Sequence, residues 1–191
     1  MRAAVFLDRD DTLIVNRTVT ANTRFPGSLF DPGLVRLLPG AGEACGMLKR
    51  AGFALVVVTN QGCVARGECT MAEVDATNAR VRELLRAEGV ELDGVYLCPF
   101  HPKGTVAPWN VEHEWRKPAP GMVIAAAREM ELDLAGSWMI GDAERDMEAA
   151  IGAGIALERT VLVGDAPARR CGCRVRELCE AARCVLSACA R

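Results

Sequence analysis

Four short polar clusters carry residue types that could do chemistry together. They are Asp8-Arg9-Asp10-Asp11-Thr12, Thr59-Asn60-Gln61, Arg116-Lys117-Pro118, and Gly141-Asp142 with Asp146 one helical turn further on. Asp8 and Asp10 stand two apart, so both can turn toward one crevice where a strand stops. With Asp142 they make three hard oxygen donors, a set that suits magnesium together with waters and a phosphate. An ionised carboxylate held there can attack phosphorus. A second can protonate the leaving oxygen and then activate water. The Thr59 hydroxyl, the backbone N–H groups after it and the Lys117 ammonium can stabilise charge on a transferring phosphoryl group. Each cluster alone is also what ordinary turns and helix caps contain. The specific feature is that four occur in order.

The elements that must position them follow from hydrophobic periodicity. Apolar runs at Ala3–Leu7, Ala54–Val58, Gly94–Leu97, Trp138–Ile140 and Thr160–Val163 read as strands. Between them apolar residues fall at helical spacing: Ala41, Ala44, Cys45 and Leu48; Val74, Val81, Leu84 and Leu85; Met122, Val123, Ala126, Ala127 and Met130; and Met147, Ala150 and Ile151. Strand alternating with helix predicts an α/β fold, a doubly wound parallel sheet covered on both faces. Such sheets bind ligands beyond the carboxyl ends of their strands. The first, second and fourth clusters each directly follow a strand, and Arg116-Lys117-Pro118 closes the long loop after the third. Two stretches break the alternation, 12–39 and 99–118. Loops of that length are often lids or binding loops, and 12–36 and 99–115 are expected to select the substrate.

The chain has 191 residues, half of them hydrophobic and a quarter charged, with a formal net charge of -2. That predicts one domain over 1–191 with a real core. It offers no basic excess of the kind a nucleic-acid binder carries. No apolar run approaches a membrane span and no signal peptide precedes the first strand, so a cytoplasmic protein without nucleic-acid or membrane partners is expected. Nine cysteines make a poor disulfide framework. Five of them, Cys171, Cys173, Cys179, Cys184 and Cys189, fall near the C-terminus. Their spacing matches no paired metal module, so they read as small apolar side chains on a terminal helix.

The clusters resemble the signature of the haloacid dehalogenase (HAD) superfamily of phosphatases, carried by Leu7-Asp8-Arg9-Asp10-Asp11-Thr12, Val58-Thr59-Asn60-Gln61, Arg116-Lys117-Pro118 and Ile140-Gly141-Asp142. The resemblance implies a Rossmann-like fold with minimal caps. It implies Asp8 as nucleophile, Asp10 as acid/base, Thr59 and Lys117 as phosphoryl-stabilising residues, and magnesium held by Asp8, Asp142 and the backbone carbonyl of Asp10. A closer resemblance runs to about Asp165. Val57 to Gln61, Ala65-Arg66-Gly67, Leu92 to Tyr96, Cys98-Pro99 and Arg116 to Met122 are similar to the D-glycero-D-manno-heptose 1,7-bisphosphate 7-phosphatase family, relatives of the histidinol-phosphate phosphatases. That implies a small phosphorylated sugar as substrate, and a monomer is expected. Substrate contacts are implied at Asp11, Thr12, Asn60, Gln61 and Arg116, whose planar guanidinium suits a second phosphate or sugar hydroxyls.

The chain departs from that pattern in places. The family's usual Gly at the fourth position of the first motif is Asp11, its Asn two residues after Thr12 is Ile14, and its Lys after Gly141-Asp142 is Ala143. An added carboxylate at 11 is expected to slow the chemistry if it faces the phosphate. The family's structural zinc positions correspond to Cys98, Phe100, His113 and Trp115. Even with His101 shifted in, Cys98, His101 and His113 make only three ligands of the four a closed site takes. Zinc is therefore not expected, and Phe100, Trp109 and Trp115 are expected to pack the loop instead. Three other readings compete. Histidinol phosphate or another small sugar phosphate could be the substrate. A catalytically weak relative could merely bind phosphorylated ligands, though such a protein has no need of Asp10. Signalling receiver domains use similar residues, but there the phosphorylated Asp follows a middle strand and the Lys the last, an order this chain does not have.

Overall fold

The computed structural model describes residues 1–189. Its six strands are β1 (Arg2–Leu7), β2 (Ala54–Asn60), β3 (Gly94–Cys98), β4 (Leu132–Gly141), β5 (Thr160–Val163) and β6 (Cys173–Val175). They form one sheet in the order β3-β2-β1-β4-β5-β6, and every neighbouring pair is parallel. The helices are α1 (Arg17–Thr20), α2 (Ala41–Arg50), α3 (Met71–Ala87), α4 (Gly121–Glu129), α5 (Glu144–Gly152) and α6 (Leu178–Cys189). This is the expected α/β doubly wound sheet.

The strands are apolar on both faces because both faces are covered. Val5, Leu7, Leu55, Val57 and Ile140 pack with Ala44, Cys45 and Leu48 of α2, Val81 and Leu85 of α3, and Ala181, Ala182 and Val185 of α6. The alternate residues Ala4, Phe6, Val56, Val58 and Met139 pack with Met122, Val123 and Ala126 of α4 and Met147 and Ala150 of α5. Fully burying each larger side chain stabilises the fold by roughly 1.5–3 kcal/mol. Helix starts are chemically marked. Thr70 caps α3 by accepting from the Glu73 N–H, while Glu73 accepts from the Thr70 N–H at 2.7 Å.

Two differences from the sequence reading have physical causes. β4 begins at Leu132, six residues before the apolar run. Its first half holds Asp133, Gly136 and Ser137, and the register with β1 shifts by a bulge between Ala3 and Val5. Ser137 is tolerated inside because its Oγ accepts from the Ala4 N–H at 2.8 Å and donates to the Asp133 carbonyl at 2.5 Å. The five late cysteines do not share one helix. Cys179, Cys184 and Cys189 lie on α6, whereas Cys173 opens the short edge strand β6 and Cys171 precedes it. Three residues were too short a run to read as a strand. Among the described residues, no helix is long and apolar enough to cross a membrane.

The topology dictates where a ligand fits. From β1 the chain works outward to β2 and β3 on one side, then returns to the middle and builds β4, β5 and β6 on the other. The reversal between β1 and β4 opens a crevice at their carboxyl ends. Loop 8–40 lies over that end and contains α1 and a single 3-10 turn, Pro32–Leu34.

Candidate active site

Asp8 is the first residue beyond β1. Its N–H donates to the Ile140 carbonyl at 3.0 Å, a last rung of the β1–β4 ladder, so the side chain is fixed at the switch point. The next residues turn sharply. The Leu13 and Ile14 N–H groups donate back to the Arg9 carbonyl, and the Asp11 N–H to the Ile14 carbonyl at 2.8 Å. Arg9 is buried, with Nη1 on Asn78 of α3 at 2.8 Å and Nη2 on the Leu29 carbonyl and Asp10. It ties the turn to α3 and the long loop, a role that sequence reading left unassigned.

The Lys117 ammonium is buried; it donates to Asp8 Oδ1 at 2.6 Å and the Val58 carbonyl at 2.7 Å and forms an ion pair with Asp146 Oδ1 at 2.7 Å. Burial alone would lower its pKa, but Asp146 and Asp8 outweigh burial and raise it, so the lysine stays charged. Asn60 holds this arrangement from the backbone. Its Nδ2 donates to the Lys117 carbonyl at 2.9 Å and its Oδ1 accepts from the Lys117 N–H at 3.0 Å. The amide therefore clamps the lysine to the end of β2. Gln61 works similarly: its Nε2 donates at 2.8 Å both to Asp10 Oδ2 and to Thr59 Oγ1. Burial, with Asp8's charge adding, raises the Asp10 pKa against the pull of Arg9 and Gln61. Thr59 and Thr12 are both fully buried beside these groups.

Asp8, Asp142 and Asp146 each offer a carboxylate oxygen, all within 4.8 Å of one another, and form the only such acidic, histidine or cysteine group among the described residues. Asp8 Oδ2 and Asp142 Oδ1 are buried without a hydrogen-bond partner. Burial, then the charges of Asp8 and Asp146, push the Asp142 pKa up to about 6. Crowded carboxylates with bare, inward oxygens fit a divalent cation. Asp10, expected in the metal set, lies outside this trio of side chains; the resemblance assigns it a backbone carbonyl. Asp146 enters instead. It caps α5, accepting from the Ala143 N–H at 3.0 Å, and Gly141 leaves room for it, since a Cβ there would sit 2.6 Å from Asp146 Cβ. The i, i+4 spacing of Asp142 and Asp146 was visible in the sequence; that both face the crevice was not.

The other expected residues fall as follows. Asp11 has a positive φ of 55°, the backbone conformation that explains why Gly is usual there. Its carboxylate is engaged with the loop rather than directed at Asp8: Oδ1 accepts from the Asn16 and Arg17 N–H groups at 2.9 and 3.1 Å, and Oδ2 pairs with Arg17. Arg116 is half-buried, with Nη1 on the Phe100 carbonyl at 3.2 Å. Burial, with Arg145 and Arg66 close by, lowers its pKa. The charges of Arg116, Arg66 and Lys103 likewise add to burial in lowering that of His101. These cations form a positive rim. Cys98, His101 and His113 do not converge as ligands. His101 Nδ1 accepts from the Lys103 N–H and His113 Nδ1 from the Trp115 N–H, both at 3.0 Å. The His113 ring stacks on Phe100 at 4.0 Å, and Trp109 meets Phe100 edge-on at 5.1 Å.

Comparison with known proteins places this geometry. A family model described as HAD-hydrolase-like matches residues 114–163. The chain is 40% identical over 161 residues to the D-glycero-beta-D-manno-heptose-1,7-bisphosphate 7-phosphatase of Yersinia pestis, covering 84% of this chain and 81% of the relative. It is 35% identical to the alpha-heptose counterpart of Burkholderia mallei, over 87% and 82%. Among solved structures, a HAD-like phosphatase of Mesorhizobium loti superposes with a TM-score of 0.82 at 37% identity, over 97% of this chain and 87% of that one. The D,D-heptose 1,7-bisphosphate phosphatase of B. bronchiseptica, complexed with magnesium and phosphate, gives 0.76 at 29%, over 98% and 99%.

Proposed function

The chain belongs to the HAD-like phosphatases, in the family of the heptose-1,7-bisphosphate 7-phosphatases, and from that membership we propose that it removes the 7-phosphate of D-glycero-D-manno-heptose 1,7-bisphosphate through a phosphorylated Asp8. The observation that carries the mechanism is the state of Asp8. One carboxylate oxygen is pinned by Lys117, and the other is buried and without a hydrogen-bond partner beside Asp142 and Asp146.

Asp8 Oδ2 attacks phosphorus and the bond from phosphorus to the sugar oxygen breaks. Asp10, whose pKa is raised by burial, protonates the departing oxygen. Asp10 then takes a proton from water, the water oxygen attacks phosphorus, and the acyl phosphate bond breaks to release phosphate and Asp8. Lys117 and Thr59 stabilise the equatorial oxygens in both steps. Asp8, Asp142 and the backbone carbonyl of Asp10 would hold magnesium, which would supply the charge that lets a phosphate dianion approach three carboxylates. The positive charge of Arg116, with Arg66 and Lys103 nearby, suits the second phosphate of a bisphosphate; the Arg116 guanidinium lies against Gly62 in the loop after β2, 3.2 Å from where a Cβ there would stand. The chain works as one phosphatase domain, a cytoplasmic monomer whose unpaired thiols suit a reducing compartment.

The test is a panel of initial rates on heptose bisphosphates of both anomers, histidinol phosphate and simple sugar phosphates, with and without magnesium. Turnover is expected to be fastest on a heptose bisphosphate and to need magnesium. No turnover of either anomer refutes the substrate.

A further inference from the structure

Arg17 is an exposed arginine with an unusual pair of partners. Its Nη2 bonds Asp142 Oδ2 and its Nε pairs with Asp11 Oδ2 at 3.2 Å. Its backbone N–H donates to Asp11 Oδ1 at 3.1 Å. Asp11 thus holds the residue twice, by main chain and by guanidinium, and the guanidinium bridges Asp11 to the carboxylate that crowds Asp8 and Asp146. The side chain is 66% exposed, so it lies at the mouth of the crevice and can swing away. Asp142 Oδ1 meanwhile has no hydrogen-bond partner, and its nearest other cation, Arg145 Nη2, is 3.9 Å away.

We propose that Arg17 is a tethered counter-ion that competes with the divalent metal for Asp142, with Asp11 as its tether. This rests on the reading of Asp8 and Asp142 as metal ligands. Three carboxylates within 4.8 Å repel one another when no metal is bound, and a guanidinium on Asp142 offsets part of that repulsion. The same contact must be broken before a metal can draw on that oxygen, so the arm stabilises the metal-free protein and weakens metal binding. Asp11 then has a purpose at a position whose positive φ favours Gly: it keeps the arm at the mouth. Arg17 is a positioning residue that acts through Asp142.

The experiment is calorimetric titration of magnesium into the full chain stripped by chelator, for the wild type, Arg17→Ala, Arg17→Gln and Arg17→Lys, with thermal midpoints in chelator and in saturating magnesium. Removing the arm is expected to tighten magnesium binding about fivefold, as for loss of one partly exposed ion pair. The midpoint should fall in chelator but not in saturating magnesium, and Lys should restore part of the wild-type behaviour. Equal or weaker magnesium binding by both neutral variants overturns the competition while leaving the metal-site reading intact. No magnesium binding by the wild type overturns both.

Discussion

Asp146→Asn isolates what the buried acid behind Lys117 does. Asp146 engages both carboxylate oxygens, Oδ1 in an ion pair with Lys117 Nζ at 2.7 Å and Oδ2 accepting from the Ala143 N–H at 3.0 Å. An amide is nearly the same size but has one acceptor oxygen. Whichever way it is turned, its NH2 must face a donor, either the ammonium or the α5 cap. One contact is lost and one buried donor is left unpaired, which costs about 2 kcal/mol. For a chain of this size that corresponds to a fall in melting temperature of about 4–8 °C. The acidic trio also loses a charge, so magnesium affinity should fall about 10–100-fold, as for other groups that orient or complete a metal site. Differential scanning calorimetry in chelator reads the first effect and isothermal titration the second. A melting temperature within a degree of wild type, with unchanged magnesium affinity, would refute the assignment of Asp146 to both roles.

Three further outcomes are expected. Asp10→Asn should lower kcat/KM, which reports phosphorylation of Asp8, by about 10²–10⁴-fold on a substrate with a poor leaving group and much less on an aryl phosphate, which leaves without a proton; equal loss of kcat/KM on both would sink the acid role. Asp93, beside β3, accepts from Lys49 Nζ at 2.8 Å, the Leu55 N–H at 2.7 Å and Arg2 at 3.2 Å. Burial alone would raise its pKa, but these partners win and hold it below the ordinary carboxylate range. Its contribution is therefore complete above the unfolded value, about pH 4, and is lost as pH falls through the folded one. Asp93→Asn should cost about 1 kcal/mol at neutral pH, allowing for solvent screening, and progressively less as the pH is lowered below the ordinary carboxylate range, in urea titrations across that range. Protein made without added zinc should carry well under one zinc per chain by metal analysis, since His113 is stacked on Phe100 and its Nδ1 is engaged; a full equivalent that survives dialysis would contradict this.

Much of the fold was legible because burial on both faces forces near-continuous apolar strands, and Ala54 to Val58 could be little else. The polar clusters were legible as strand-end residues for the same reason. The failures are local and physical. Ser137 and Asp133 hide half of β4 because they satisfy one another and Ala4 inside a bulge, a pairing that no periodicity reports. Asn60 and Gln61 could be named as site residues, but their work on the Lys117 backbone and on Asp10 depends on loops folding back across the sheet. Asp11 stands at a positive φ, and its carboxylate accepts from the Asn16 and Arg17 N–H groups, contacts that residue type alone does not report. The close approach of Cys173 to Cys184, with sulfurs 3.0 Å apart, joins a strand and a helix that composition alone had merged.

The claim on which the account turns is that Asp8 carries the phosphoryl group. Acid-quenched single turnover of a heptose bisphosphate, followed by peptide mass spectrometry, addresses it directly. A transient phosphoryl mass on the peptide holding Asp8, accumulating further when Asp10→Asn turns over an aryl phosphate and missing in Asp8→Asn, is the predicted result. Turnover retained by Asp8→Asn, or product formed with no labelled peptide at any time in either protein, would contradict it.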